Sequence, residues 1–247
     1  MSERFFLETP PADGRAVLAG DEARHLMRVM RASVGDTVEL FDGRGHAWTA
    51  EVCLLGRGQV ELQLVEGPAG SDPGEAAQHS AGRPLLTVAA ALPKGDRQKW
   101  MVEKLTELGA ARLLPLSTAR SVAEATPSAV GRLRRQVIEA CKQCGRNTLM
   151  EIAEPVSLAA ACGDRPPTTL GLLADPAGLP ASGVLTAQPA CMLALIGPEG
   201  GFTDAERQHA LDAGFTPVRL GPHILRVETA AVALAAAVHA AAASAVA

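Results

Sequence analysis

The chain has no tyrosine, and its aromatic share is only 3%. A protein that stacks many bases on aromatic platforms is therefore not expected. Cysteine is sparse and odd in number, five residues scattered over 247. That is not the pattern of a secreted disulfide framework. The first thirty residues hold no basic start followed by an apolar run, so no signal peptide is expected and the expected compartment is the reducing cytoplasm. Three motifs are missing: G-x-G-x-x-G, the Walker A loop and G-x-S-x-G. Hydride transfer from a dinucleotide, P-loop chemistry and nucleophile-elbow hydrolysis lose support with them. No His pair stands at metal or triad spacing. Cys141 and Cys144 form a lone C-x-x-C inside a predicted helix, without the second pair that zinc needs, so no metal is expected. Thr229–Ala247 lacks Asp, Glu, Lys and Arg, a length close to a membrane span. It is mostly Ala, the best helix former, and has no basic flank. A buried or interface helix is expected there, with no membrane partner.

What is present fits a globular chain: 47% hydrophobic and 20% charged, long enough for one large domain or two smaller ones. The net charge of −4 hides a pattern. Residues 1–82 carry 7 Arg and no Lys against 13 acidic residues, residues 83–147 carry 12 basic against 5 acidic, and residues 148–247 carry 4 basic against 9 acidic. A basic block inside an acidic protein suits local attraction to a polyanion rather than general coating of DNA. From charge alone, an ordinary solvated surface stays equally open.

Gly67–Arg83 is rich in Gly, Pro and Ser and reads as a linker region. Before it, Asp36–Phe41, His46–Leu54 and Gln59–Glu66 read as strands, and Asp21–Met30 as a helix capped by Asp21. On that helix Arg24, Arg28 and Arg31 fall at i, i+4 and i+7, one face suited to phosphates, with Leu26, Met27 and Met30 packing below. A solvated face is the competing reading. After the linker, strands are expected at Leu85–Leu92, Arg112–Leu116, Thr168–Ala174, Cys191–Ile196 and Thr216–Leu220. Helices are expected at Asp96–Leu108, Ser128–Gln143, Thr203–Ala213 and from Val227 onward. Thr203 with Glu206 three residues on is a capping box. This alternation predicts a parallel α/β sheet.

Two strands end in similar loops. Cys191–Ile196 runs into Gly197-Pro198-Glu199-Gly200-Gly201-Phe202, and Thr216–Leu220 into Gly221-Pro222-His223-Ile224-Leu225-Arg226. Loops at the carboxyl ends of such strands are where open α/β sheets bind ligands. Glu199 would repel a phosphate, so a neutral or cationic ligand suits the first loop. If the two strands are neighbours, the loops form opposite walls of one pocket, with Ile224 and Leu225 available to clasp an adenine.

At this point the motifs resemble a known family. ALPKGDR (Ala91–Arg97), EKLTELGA (Glu103–Ala110), ARSV (Ala119–Val122), EACKQCGRN (Glu139–Asn147), IGPEGGFTDAE (Ile196–Glu206) and LGPHILRVETA (Leu220–Ala230) occur in order. With RFF at Arg4–Phe6 and the Arg24–Arg31 helix, they are similar to the RsmE family, the ribosomal RNA small subunit methyltransferases E of the SPOUT superfamily. His223, Cys144 and Val227 stand where the family usually has Arg, Ser and Thr. The resemblance implies an α/β fold: a C-terminal SPOUT domain with a trefoil knot at 84–247 for cofactor binding and dimerisation, a linker at 73–83, and a small PUA-like RNA-binding β-barrel at 1–72. It implies a homodimer, S-adenosylmethionine as methyl donor, and N3 of a uridine in 16S rRNA as acceptor, in free RNA or the assembled small subunit. The implied cofactor site is Leu172, Leu173, Gly197, Pro198, Glu199, Gly200, Leu220, Gly221, Ile224, Leu225 and Arg226. The expected RNA contacts are Arg4, Arg24, Arg28, Arg31, Lys94, Arg97, Arg120, Arg132, Arg135 and Arg146.

The sulfonium is already an activated donor, so alignment is the main task of the protein. The N3 proton must leave, and negative charge spreads to the ring oxygens. Arg226 is the candidate cation for that charge, with an ion pair to Glu199 or Glu228 as its alternative role. Glu199 or Glu228 could take the proton, or solvent could. A SPOUT enzyme acting on ribose 2′-O or on tRNA, or a non-catalytic ribosome-assembly factor, are the competing functions.

Overall fold

The computed structural model describes residues 3–66, 84–186 and 189–245, so the expected linker lies outside the described residues. The chain divides into two compact units: Met1–Ala77 with Cys141–Leu149, and Gln78–Ala140 with Met150–Ala247.

The first unit is built on β1 (Arg4–Phe6), β2 (Arg15–Ala19), β3 (Thr37–Phe41), β4 (Ala47–Leu55) and β5 (Gln59–Glu66). They form one sheet in the order β1-β3-β4-β5-β2. Only β1 and β3 pair in parallel. Alternation places Ala16 and Leu18 of β2, Val38 and Leu40 of β3, and Val60 and Leu62 of β5 inward, together with Phe5 and Leu26. The expected helix Asp21–Met30 is corrected. An α-helical turn, α1 (Gly20–Arg24), passes into a wider π-type turn over His25–Val29. Its N-cap is Ala19, without a side-chain cap, and the Asp21 carboxylate pairs with Arg24 instead. Arg31 lies past the helix at φ +55° and Met30 is exposed. The change of pitch, which i, i+4, i+7 spacing does not announce, takes the three arginines off one regular α-helical face.

Cys141–Leu149 joins this unit through polar contacts. Arg4, nearly buried, donates to the Cys141 carbonyl at 3.0 Å and to Asn147, pairs with Glu39 at 2.7 Å, and lies over the Phe41 ring. Lys142 pairs with Glu22 at 3.0 Å. The N–H of Leu149 donates to the Gly43 carbonyl. Gly43 has φ +72°, and a Cβ there would stand 2.6 Å from Leu149 Cγ, so both backbone and space require glycine.

The second unit contains β6 (Leu85–Ala91), β7 (Arg112–Ser117), β8 (Glu151–Ile152), β9 (Val156–Ser157), β10 (Leu170–Pro180), β11 (Cys191–Ile196) and β12 (Thr216–Arg219). All pair in parallel, in the order β12-β10-β11-β6-β7-β8, with β9 also on β7. The central strands are almost wholly buried, as parallel strands covered on both faces must be. The helices are α2 (Asp96–Glu107), α3 (Pro127–Cys144, of which Cys141–Cys144 belongs to the first unit), α4 (Leu158–Gly163), α5 (Ala181–Val184), α6 (Asp204–Asp212) and α7 (Val227–Ala245). The helix α6 has the full reciprocal capping box between Thr203 and Glu206. The apolar helix α7 turns Val227, Ala231, Leu234, Ala235 and Val238 into the core and packs on α2 and β6. Among the described residues no helix is long and apolar enough to cross a membrane.

Candidate active site

The strands β11 and β12 are not neighbours; β10 lies between them. The expectation of two facing loops therefore becomes a cavity with three walls. It has a volume of about 360 Å³ and opens at the carboxyl ends of β10, β11 and β12. The first wall is the Gly197–Phe202 loop, and the second runs from Leu220 through Leu225. The third is Leu173–Pro176, where β10 loses regular pairing with β12 between Ala174 and Leu179.

Nine of the eleven expected cofactor residues line this cavity: Leu173, Gly197, Pro198, Glu199, Gly200, Leu220, Gly221, Ile224 and Leu225. Leu172 is fully buried and does not line it, because alternate residues of a strand face opposite sides. Arg226 does not line it either. Its side chain is exposed, and its carbonyl accepts the Ala230 N–H as α7 begins. The ion pairs considered for Arg226 belong to Arg97, whose guanidinium lies 3.7 Å from Glu199 and 3.8 Å from Glu228.

Of the third wall, sequence reading named Leu173 and missed Ala174, Asp175 and Pro176. Asp175, nearly buried there, accepts from Arg207 at 2.6 Å and from the Ala177 N–H at 2.8 Å. The expected strand Thr168–Ala174 running into Asp175-Pro176 is the signal that was available. Phe202 was also missed as a lining residue; its ring packs on the core, and a Cβ at Gly197 would stand 3.1 Å from it.

The first loop is braced from outside. Arg120 Nη1 donates to the Gly200 carbonyl at 2.7 Å, and the Ala119 N–H donates to Glu206 Oε1 at 2.8 Å. Burial pushes the Glu206 pKa up. Hydrogen bonds from the N–H groups of Thr203 and Ala119, then the Thr203 hydroxyl and the Arg120 charge, outweigh it and leave the pKa below the usual value.

Of the other expected RNA contacts, Arg28 and Arg31 are exposed in the first unit, and Lys94, Arg132 and Arg135 in the second. Arg24 is exposed but paired to Asp21, and Arg146 is half-buried. Arg4 and Arg120 hold carbonyls of their own units. Among the described residues no group of three His, Cys, Asp or Glu side chains could hold a metal ion.

Residues 82–239 match the family model described as an RNA methyltransferase domain, and residues 18–65 match one described as an RNA methyltransferase PUA domain. The chain is 33% identical to a ribosomal RNA small subunit methyltransferase E of Synechocystis sp., over 88% of this chain and 70% of that protein. It is 31% identical to the one from Mycobacterium bovis, over 92% of this chain and 87% of that protein. In fold it is similar to the crystal structure of a ribosomal RNA small subunit methyltransferase E from Neisseria gonorrhoeae bound to S-adenosyl methionine, with a TM-score of 0.86 and 28% identity. That match covers 97% of this chain and 98% of the other. The class is thus that of RNA methyltransferases. Within it, the chain belongs to the ribosomal RNA small subunit methyltransferase E family.

Proposed function

We propose that the protein is an S-adenosylmethionine-dependent methyltransferase that methylates N3 of a uridine in the 16S RNA of the small ribosomal subunit. The observation that carries this is the three-walled cavity. Its walls meet at strand ends, two of them are Gly-Pro loops, and its lining joins apolar side chains to the Glu199 carboxylate. The donor set fits the cofactor. Leu173, Ile196 and Leu225 suit an adenosine, and the acidic Glu199 suits a cation. At Gly221 the space that a Cβ would take is open, which leaves the backbone free to approach a ligand. The SAM-bound relative of the same fold supports the reading.

When bound, the cofactor supplies a methyl group already activated on a sulfonium. The chain then has to orient, exclude water and handle one proton. The Gly197–Gly200 and Leu220–Leu225 backbones hold the ligand edge. Glu199, at the wall, takes the N3 proton. Arg226 serves at the outer edge of the site, where it can meet charge on the target ring or a flanking phosphate.

Residues 84–247 carry the chemistry and residues 1–72 position the RNA. Arg28 and Arg31, with Lys94, Arg132 and Arg135, are the exposed cations proposed to meet phosphates. The protein works in the cytoplasm as a homodimer. The outer face of α7, with Thr229, Ala236 and Ala240 exposed, is small and uncharged and supports close approach of a second copy. The deciding experiment maps methylated uridine in small-subunit RNA from cells with and without the protein. A single 3-methyluridine that disappears on deletion and returns on complementation is the expected result. An unchanged pattern refutes the reading.

A further inference from the structure

Three charged side chains from three distant segments meet beside the cavity. Arg97 stands in the first turn of α2, Glu199 in the first Gly-Pro loop, and Glu228 in the first turn of α7. The guanidinium is 3.7 Å from Glu199 and 3.8 Å from Glu228. One end of the row is buried and the rest is half-exposed. The side chain of Glu228 is 8% exposed, while those of Glu199 and Arg97 are 32% and 37% exposed. Of the three, only Glu199 lines the cavity.

A buried carboxylate is strongly disfavoured unless a cation or hydrogen bonds compensate it. One Glu228 oxygen, Oε2, is buried with no hydrogen-bond partner among the described residues. Its other oxygen faces Arg97, the cation within ion-pair distance of Glu228 among the described residues. Glu228 therefore attracts Arg97 from the buried side, and Arg97 attracts Glu199 on the cavity side. A nucleophile, base and orienting group follow the same logic: the group at the cavity acts, the middle one aims it, and the buried one holds the aim. A phosphate would have to compete with two carboxylates for this guanidinium, which separates Arg97 from the exposed Lys94, Arg132 and Arg135.

We infer that Arg97 is a positioning residue of the methyl-transfer site: anchored on buried Glu228, it holds the Glu199 carboxylate at the cavity wall, where Glu199 accepts the ring N–H of the target base. The inference rests on the methyltransferase reading above. In the step it serves, the proton passes from the ring nitrogen to a Glu199 oxygen. The N–H electron pair stays on nitrogen, which becomes the nucleophile toward the methyl group. Glu199 then returns the proton to solvent.

The test uses full-length protein with the Arg97→Gln, Arg97→Lys and Glu228→Gln variants. Methylation of small-subunit RNA gives kcat and KM, calorimetry gives cofactor affinity, and a salt series gives the slope of RNA binding. Arg97→Gln is expected to lower kcat by about 10- to 100-fold, as misplacement of a reacting group does. KM for RNA, the salt slope and cofactor affinity should stay close to those of the parent. Arg97→Lys should restore part of kcat. Glu228→Gln should lower kcat in the same direction, and the double variant should be no worse than Arg97→Gln alone, because both act through one path. If Arg97 is instead a phosphate contact, kcat is kept and the salt slope falls by about 0.7–0.9, which overturns the inference. Should Arg97→Gln fail to fold, Arg97→Lys decides through kcat, since it keeps the charge and hence the salt slope: parental kcat refutes the inference, and reduced kcat with parental cofactor affinity upholds it. Parent protein that makes no methylated uridine refutes the methyltransferase reading itself, a different result from an active parent with an equally active Arg97→Gln.

Discussion

The two Gly-Pro loops look alike in sequence and differ in how they are held. The Gly197–Phe202 loop is tied on every side. Its own turn closes from the Gly201 N–H to the Pro198 carbonyl, Arg120 holds the Gly200 carbonyl, Phe202 sits on the core, and the capping box of α6 follows at once. The Leu220–Arg226 loop has little of this. Ile224 is 86% exposed, and a Cβ at Gly221 would meet nothing within 4 Å. One wall is thus preformed and the other is left for the ligand to complete. A preformed wall lowers the ordering cost of binding, and an open one lets the ligand enter.

The largest test of this contrast is a pair of glycine substitutions. Gly197→Val would drive a side chain into the Phe202 ring, 3.1 Å from the first added carbon. Overpacking of this kind costs about 1–3 kcal/mol; strain relieved by displacing the loop from the shape that meets the ligand should lower cofactor affinity by roughly 5- to 150-fold. Gly221→Val meets no protein atom. It should leave the melting temperature alone and weaken cofactor binding only because the ligand itself needs that space. Calorimetry on both folded variants checks the pair. Unchanged affinity in Gly197→Val would remove the cavity from the cofactor reading.

Arg120→Ala comes next in size. It deletes a charged donor to Gly200, but at an exposed site, where such bonds are screened. A loss of about 1 kcal/mol, or roughly fivefold in cofactor affinity, is expected. RNA binding should keep its salt slope, since this arginine is committed to a carbonyl. A shallower slope with full cofactor affinity would make Arg120 the RNA contact that sequence reading took it for.

Much of this architecture is legible without coordinates, and the illegible parts share a cause. The strands Cys191–Ile196 and Gln59–Glu66 and the capping box at Thr203 follow from local patterns: apolar runs, alternation, and a Thr three residues before a Glu. Nine of the eleven cofactor candidates share one cavity, eight of them on the two Gly-Pro motifs and Leu173 on β10. What local pattern does not carry is the order of strands. Placing β10 between β11 and β12 creates the Asp175 wall, and no period or cap in the sequence encodes it. The fate of each arginine is equally non-local. Arg4 meets Cys141 and Asn147, far along the chain, and Arg97 meets Glu199 and Glu228. A count of basic residues treats buried clamps and exposed phosphate contacts alike.

The brace behind the first loop has a pH signature. Glu206 is held below the ordinary glutamate range in the folded state, although burial alone pushes it up, because backbone and hydroxyl donors and the Arg120 charge favour its ionised form. A depressed carboxylate contributes stability above its unfolded pKa and loses it as pH falls through the folded one. Glu206→Ala should therefore cost about 1 kcal/mol near neutral pH, the usual size of a lost cap. The gap from the parent should narrow from the ordinary glutamate range downward. Paired denaturant titrations at several pH values check this, and a gap independent of pH would show that packing, not charge, sets the role of Glu206.

The smallest effect belongs to the open wall. Ile224 lines the cavity and is yet almost wholly exposed, so it contributes little to folding in the unliganded protein. Its apolar surface becomes useful only when a ligand covers it. Burial of a methylene stabilises by about 0.8 kcal/mol, and a side chain at a cavity rim is covered only in part. Ile224→Ala should therefore lower cofactor affinity by roughly two- to fivefold, which is about 0.5–1 kcal/mol. The melting temperature of the free protein should not move, while the extra stability gained on adding cofactor should shrink. Matched thermal melts with and without S-adenosylmethionine measure both quantities. A free-protein melting point that drops by several degrees would mean that the second loop is packed before the ligand arrives, and the two walls would then differ in sequence detail only.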